Sequence, residues 1–334
     1  MAEIHPTELI GYAEARSNVV FFSRSDPGFL KIGGQDRAAF LQRQTTNDVS
    51  LLSEQKSLQT VLTNPNARIL DVFRLVVLDA ETIGAITLPG RGSKTARYLK
   101  SRIFFMDKVT LEDASQSITQ IELHGPASAN LLEHLGLRQP PSLDEVIQGR
   151  LGQVVVKLIG EVGFSGPGYR LLASTGNKDE LLAALESSPA IQLPPDTYQV
   201  LRVETGLPSA DFELTEEYTP LEAGLGSAIS GQKGCYTGQE VIARQITYDK
   251  ITQRLVGLRL QSPAAGKERV WVDGRSIGVI TSHAVSPTFG PIALAILRRP
   301  HHQVGTRVII GVDGEGEENP AVVAELPFGL NHQT

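Results

Sequence analysis

The chain of 334 residues is poor in sulfur and in aromatic side chains: one cysteine, two methionines, one tryptophan and 6% Phe, Trp and Tyr together. A single cysteine rules out an internal disulfide and fits a reducing compartment, so a cytoplasmic location is expected. No uninterrupted apolar run approaches the ~18 residues that a spanning helix needs. The segment Met1 to Glu14 lacks the basic flank and apolar centre of a secretory leader, and no membrane partner is expected. There is no excess of positive charge either. A net charge of -6 argues against a protein that coats nucleic acid through its overall field, and direct nucleic-acid binding is not expected. Nucleotide-binding glycine patterns are missing too. No Gly-x-Gly-x-x-Gly follows a strand, and in Gly90-Arg91-Gly92-Ser93-Lys94-Thr95 the residue before Lys94 is Ser93, where a phosphate loop requires glycine.

What is present is an ordinary soluble composition, with 41% apolar and 20% charged residues in a chain long enough for two or three packed units. Short β-rich runs, at 28–33, 58–63, 68–78, 83–88, 108–112 and 119–123, mix with helical patterns at 35–43 and 126–135. Asn64-Pro65-Asn66-Ala67 joins two of these runs as a hairpin. Residues 137–149, with Pro140-Pro141, read as a surface connection, and further strands at 154–159 and 169–173 precede helices at 178–185 and 198–205. Long unbroken apolar strands of a parallel sheet are missing, so the class is α+β. After Arg254 the pattern becomes six short β runs with close turns, among them Asp273-Gly274, which predicts a small β barrel over 251–334 behind a larger unit of 1–250. His301-His302 is adjacent, not spaced for shared metal ligation, and reads as a solvated loop; no metal site is expected.

The most unusual stretch is Lys233-Gly234-Cys235-Tyr236-Thr237-Gly238-Gln239-Glu240. Thr237 and Glu240 have the spacing of a capping box opening a helix through Val241, Ile242 and Ala243. A helix end and the Lys233 ammonium beside Cys235 would favour its thiolate; a lone cysteine is otherwise a small buried hydrophobe. Asp71 lies in an apolar strand between Leu70 and Val72, facing either solvent or a cavity. The polar run Thr45-Thr46-Asn47-Asp48 either stops the preceding helix or lines a cleft.

Taken in order, Thr45 to Asp48, Asn64-Pro65 with Arg68, His124-Gly125-Pro126, Arg202 to Pro208, Pro220 to Leu225, the Cys235 octapeptide, Gly278 to Ser282 and Ser286-Pro287 span nearly the whole chain. This set resembles the aminomethyltransferase (glycine cleavage T-protein) family of folate-binding proteins, and the cysteine motif resembles its YgfZ-like branch. The resemblance implies a multi-lobed unit around a central folate passage, with a C-terminal β barrel. It implies tetrahydrofolate or a one-carbon derivative as cofactor, with Glu222 pairing with the pterin and Arg244 and Tyr236 as further folate contacts. Without it, Glu222 reads as a capping or surface acid at the Thr219-Pro220 turn. Catalytic roles fall to Cys235, Lys233 and Asp71, although Val72 stands where the T-protein branch has a second acid. The implied function is a folate-binding accessory protein of iron-sulfur cluster assembly or repair that influences cluster-dependent tRNA modification, with iron-sulfur proteins or tRNA-modifying enzymes as partners. The alternative is tetrahydrofolate-dependent aminomethyl transfer.

Overall fold

Strand alternation decides the architecture. In Ile118–His124 the residues Ile121 and Leu123 pack with Leu131, Leu132, Leu181 and Leu185 of the helices Ser128–His134 and Lys178–Glu186. Successive side chains of a strand point to opposite faces, so Gln120, Glu122 and His124 point the other way. The computed structural model describes residues 9–311 and 319–329. The first eight residues, part of the segment read above as lacking a leader, lie outside the described residues.

Ile118–His124 belongs to a six-stranded sheet in the order Ile191–Gln192, Val20–Ser23, Ile118–His124, Pro167–Ser174, Val154–Val162, Val146–Leu151. All neighbours are antiparallel except the parallel pair of Val20–Ser23 with Ile191–Gln192. A second, antiparallel sheet runs Leu58–Thr63, Ile69–Asp79, Thr82–Thr87, Gly28–Gly33, Thr110–Asp113. Its outer face packs Leu30, Ile32, Phe73 and Leu75 against Phe40, Leu41, Ala96 and Leu99 of the helices Arg37–Gln44 and Gly92–Lys100. The inner faces meet where Phe29, Val76 and Ile86 of the second sheet touch Val146, Ile159 and Leu172 of the first. The result is a four-layer stack of helix, sheet, sheet, helix. Both faces of the central strands are therefore largely covered, and their polar side chains are buried or half-buried.

The remaining strands, Gln253–Leu260, Arg269–Val272, Arg275–Ser286, Gly290–Arg298, Arg307–Gly311 and Asn319–Ala324, close into a barrel around Leu258, Val270, Ile280, Ala295 and Ile310. The α+β class with a C-terminal barrel is thus the observed architecture. Asp273 and Gly274 both take positive φ, as a two-residue hairpin turn requires.

The helix Pro195–Thr205 ties the barrel to the two-sheet unit. Pro195 suits a first helical position, and Gly206 ends the helix in the left-handed region, where glycine carries no Cβ penalty. The helix turns Arg202 toward the barrel, where Nη2 donates to Ser282 Oγ at 2.7 Å and Nη1 lies 3.3 Å from Glu213 Oε2. Ser282 in turn donates to Glu213 Oε1 at 2.6 Å. Two residues on, Glu204 accepts from Tyr12 at 2.6 Å and from Ser286 at 2.5 Å.

One expectation fails here. The strand Val146–Leu151 begins within the segment read as a surface connection. Its pattern is interrupted by Gly149, where a Cβ would stand 2.3 Å from the Leu137 side chain. A close approach has removed the side chain that periodicity depends on.

Replacing Glu213 by Gln leaves the buried Arg202 guanidinium without its counter-charge. Breaking one partner of such a pair costs about 3–5 kcal/mol, so urea unfolding of Glu213→Gln is expected to show a loss of that order. A loss below about 1 kcal/mol would show that the barrel does not lean on this pair.

Candidate functional site

The inner-face polar residues of both sheets converge on a cavity of about 380 Å³. Arg24, Gln120, Glu122, His124, Glu161 and Arg170 come from the first sheet and the segments beside it; Gln59 and Arg74 come from the second. Tyr198 and Arg202 reach in from the helix toward the barrel. A charge here tolerates burial only when paired and hydrogen-bonded.

Glu122 is the hub. Oε1 accepts from Arg24 Nε at 2.8 Å and lies 2.9 Å from Arg170 Nη1, while Oε2 accepts from the Tyr198 hydroxyl at 2.9 Å and lies 3.3 Å from His124 Nε2. Arg170 stands directly across the ladder from Glu122 and also donates to both oxygens of Glu161, at 2.9 and 3.0 Å. Arg74 of the second sheet completes the chain, with Nε 3.1 Å from Glu161 Oε1 and Nη1 donating to Asp144 at 2.5 Å. Burial alone would raise the Glu122 carboxyl, but Arg170 and Arg24 outweigh it and hold it well below the ordinary range. Glu161 is likewise lowered, Arg170 and Arg74 overcoming its burial. Burial pushes the Tyr198 hydroxyl up, and the neighbouring Glu122 charge adds to that. Both cavity carboxylates are thus ionised and occupied at neutral pH. What the walls offer a ligand is donors and aromatic surface: the guanidinium groups of Arg24 and Arg74 and the ring of Tyr198.

None of the residues singled out from the sequence as site residues lines this cavity. Glu222 is 4% exposed and closes a reciprocal turn. Its Oε2 accepts from Thr219 N at 2.8 Å, its own N–H reaches Thr219 Oγ1 at 3.4 Å, and Arg68 stands 3.4 Å away. The capping acid is the geometry observed. Asp71 faces neither solvent nor the cavity. It is fully buried, accepting from Val72 N at 2.8 Å, Leu88 N at 2.9 Å and the Thr95 hydroxyl, and so clamps its strand to the helix Gly92–Lys100. Arg244 is exposed and pairs with Glu240 on its own helix at 2.6 Å. Tyr236 packs with Ala67 and Ile242, its ring 5.1 Å from Lys233 Nζ.

The capping box is also corrected. The helix Gln239–Thr247 starts after Gly238 in the left-handed conformation, with no side-chain cap. A Cβ at Gly238 would stand 2.8 Å from the Asn64 carbonyl, so this glycine is required by the approach of the hairpin turn. Thr237 is held by its backbone, its carbonyl accepting from Thr63 at 2.6 Å and its N–H donating to the Arg43 carbonyl at 3.3 Å. Lys233 spends all three donors on carbonyls, of Gln42 at 2.7 Å, Thr45 at 2.6 Å and Asn47 at 2.8 Å. The ammonium, lowered to about 8 by burial, caps the helix Arg37–Gln44 and has no N–H left for a thiolate. Cys235 is exposed. Thr45 to Asp48 hold the same junction, Thr46 donating to the Ala228 carbonyl at 2.7 Å and Asn47 Nδ2 to the Gln59 carbonyl at 2.8 Å.

Two facing sheets around an inner cavity, with a β barrel appended, define the architecture. Two family models match in this order: the GCVT N-terminal domain over residues 9–233 and the glycine cleavage T-protein C-terminal barrel domain over residues 253–328. The chain belongs to the glycine cleavage T-protein family. It is 31% identical over 323 residues to a chloroplastic protein of Arabidopsis thaliana named as a transferase, covering 93% of this chain and 72% of that one. It is 29% identical over 331 residues to an aminomethyltransferase of Streptomyces avermitilis, covering 94% and 87%. The fold matches the glycine cleavage system aminomethyltransferase T from Bartonella henselae with a TM-score of 0.85 at 22% identity, over 96% of this chain and 89% of that one.

Three substitutions at two positions check these placements. Burial raises the Asp71 carboxyl to about 6 against its hydrogen bonds, so between about pH 4 and about 6 the native state binds the proton more tightly than the unfolded chain. Stability therefore falls as pH rises through that window and is level above it. Asp71→Asn keeps a carbonyl for the two backbone N–H groups and is expected to flatten the fall, whereas Asp71→Ala orphans both and loses about 3 kcal/mol at neutral pH in urea unfolding. For Glu222→Ala the expected loss is about 1 kcal/mol, the size of a removed cap.

Proposed function

We propose that this protein binds tetrahydrofolate, or a one-carbon derivative, in the cavity between its two sheets, and that it serves in the cytoplasm as an accessory factor of iron-sulfur cluster assembly or repair that influences cluster-dependent tRNA modification. The observation that carries the reading is that the two carboxylates of the cavity, Glu122 and Glu161, are saturated by arginines. A proton-transfer step on a folate nitrogen needs a carboxyl whose affinity for protons lies near ambient pH, and neither meets that need. Asp71 has such a value but sits behind the strand, bonded to Thr95. Binding without aminomethyl transfer is the consequence.

The cavity suits the ligand in size and chemistry. Small-molecule sites run from about 300 to 1,000 Å³, mostly apolar with a few placed polar groups. Arg24 and Arg74 can donate to the carbonyl or carboxylate oxygens of a folate, and Tyr198 can flank its rings. The iron-sulfur part of the reading rests on the Cys235 octapeptide. Its thiol is exposed and its loop is braced by Lys233 and Thr237, which suits presentation to another protein.

Aminomethyl transfer is the second reading, and the names of several relatives favour it. Formation of methylene-tetrahydrofolate from an aminomethyl-lipoyl carrier would establish it.

Calorimetric titration with tetrahydrofolate is expected to show saturable binding that Arg24→Met weakens at least about tenfold, the loss of one charged hydrogen bond, while Glu222→Gln stays within about twofold. Unchanged affinity in Arg24→Met, or a loss confined to Glu222→Gln, would move the ligand out of the cavity. In cells, Cys235→Ala is expected to lower tRNA thiolation and cluster-enzyme activities without lowering the protein's folate affinity; normal thiolation would remove the iron-sulfur role.

A further inference from the structure

The largest unexplained apolar exposure lies outside the cavity lining, at the turn after the helix Gly92–Lys100. Phe104, Phe105 and Met106 are 66%, 98% and 74% exposed, in a chain with few aromatics to spare. Scattered surface apolar residues are normal, but consecutive ones at a loop apex mark a contact.

The apex is braced from behind. Asp107 accepts from Phe104 N at 2.9 Å and pairs through both oxygens with Arg43 at 2.9 Å, while Ile103 packs into the core beneath. Along this stretch positive charge predominates. Arg97, Lys100, Arg102 and Lys108 line the same stretch, and the one acid in residues 97–108, Asp107, is the one spent on Arg43. Lys108 donates through its backbone N–H to Asp36 and through Nζ to Gln35, and Lys100 has Asp113 in its field, so some of this charge is shared with the adjoining edge strand. Arg97 and Arg102 meet no carboxylate among the described residues, Arg102 resting on Tyr98. This is a basic island on a chain of net charge -6.

We propose that the 102–108 loop is a membrane-contacting tip, inserting Phe104, Phe105 and Met106 into the interfacial region of an anionic bilayer while the surrounding cations meet the lipid headgroups. A rigid apolar point ringed by Lys and Arg is the pattern of interfacial attachment. A stable protein partner would need about 800 Å² of matched surface on this side, and three consecutive side chains fall well short. No helix among the described residues is long and apolar enough to cross a membrane, and this contact needs none. It departs from the expectation of no membrane partner, and it stands independently of what the cavity binds.

The test is sedimentation of the full-length protein with vesicles of phosphatidylcholine alone or with about one part in three phosphatidylglycerol, at low salt. The protein should sediment with the anionic vesicles and not with the neutral ones. Phe105→Ser and Arg102→Glu, both at exposed positions, should each cut the bound fraction about tenfold. In a third variant, Phe105→Trp, the added indole emission should shift to the blue on mixing with anionic vesicles. Failure to sediment, binding that survives both substitutions, or an indole emission that stays unshifted in the third variant would overturn the proposal, as would a tip that is shielded only by another protein.

Discussion

The carboxylate of Glu122 is the constraint on which the rest of the two-sheet unit depends. It is buried between the layers, and four groups, Arg24, Arg170, Tyr198 and His124 of its own strand, converge on its two oxygens. Through Arg170 the pairing passes to Glu161, and through Glu161 to Arg74 on the opposite sheet. A buried pair of this kind adds little to stability compared with apolar packing, but removing one member leaves a charge with nowhere to go. The network therefore fixes the register of the strands and the spacing of the sheets more than it strengthens them. The cavity is the space left beside it.

The same logic recurs at the barrel. Arg202 and Glu204 leave one helix two residues apart and engage Glu213, Ser282 and Ser286, so the barrel is positioned by hydrogen bonds of fixed direction as well as by the apolar contact of Val203 with Leu294 and Phe328. Arg202 also lines the cavity. A ligand that touches it acts on a group the barrel already holds.

Much of this was readable from residues. The short β runs, the closing turns at Asn64–Ala67 and Asp273-Gly274, the glycine stop at Gly206 and the change of character after Arg254 all correspond to observed elements. The site was not, because the chemistry-bearing side chains are the polar members of strands buried on both faces. In Ile118–His124 the alternation of Gln120, Glu122 and His124 with Ile121 and Leu123 carries the signal, but only if both faces are known to be covered. The motif residues lie elsewhere, in 219–244. There the structure finds turn chemistry: Glu222 bonded to Thr219, Gly238 yielding to the hairpin, Lys233 capping a helix. Glu222 makes the capping bonds that its own neighbours imply. The Thr237-Glu240 spacing misled because a left-handed glycine can start a helix without any side-chain cap.

The proposed function requires ligand in the space between the sheets and not at the 219–244 segment. Hydrogen exchange of the protein with and without tetrahydrofolate tests it most directly, since binding slows the opening of whatever it touches. Added protection is expected along Ile118–His124, Pro167–Ser174 and Ile69–Asp79, which carry Glu122, Arg170 and Arg74. Protection confined to residues 219–244, with those strands unchanged, would contradict it.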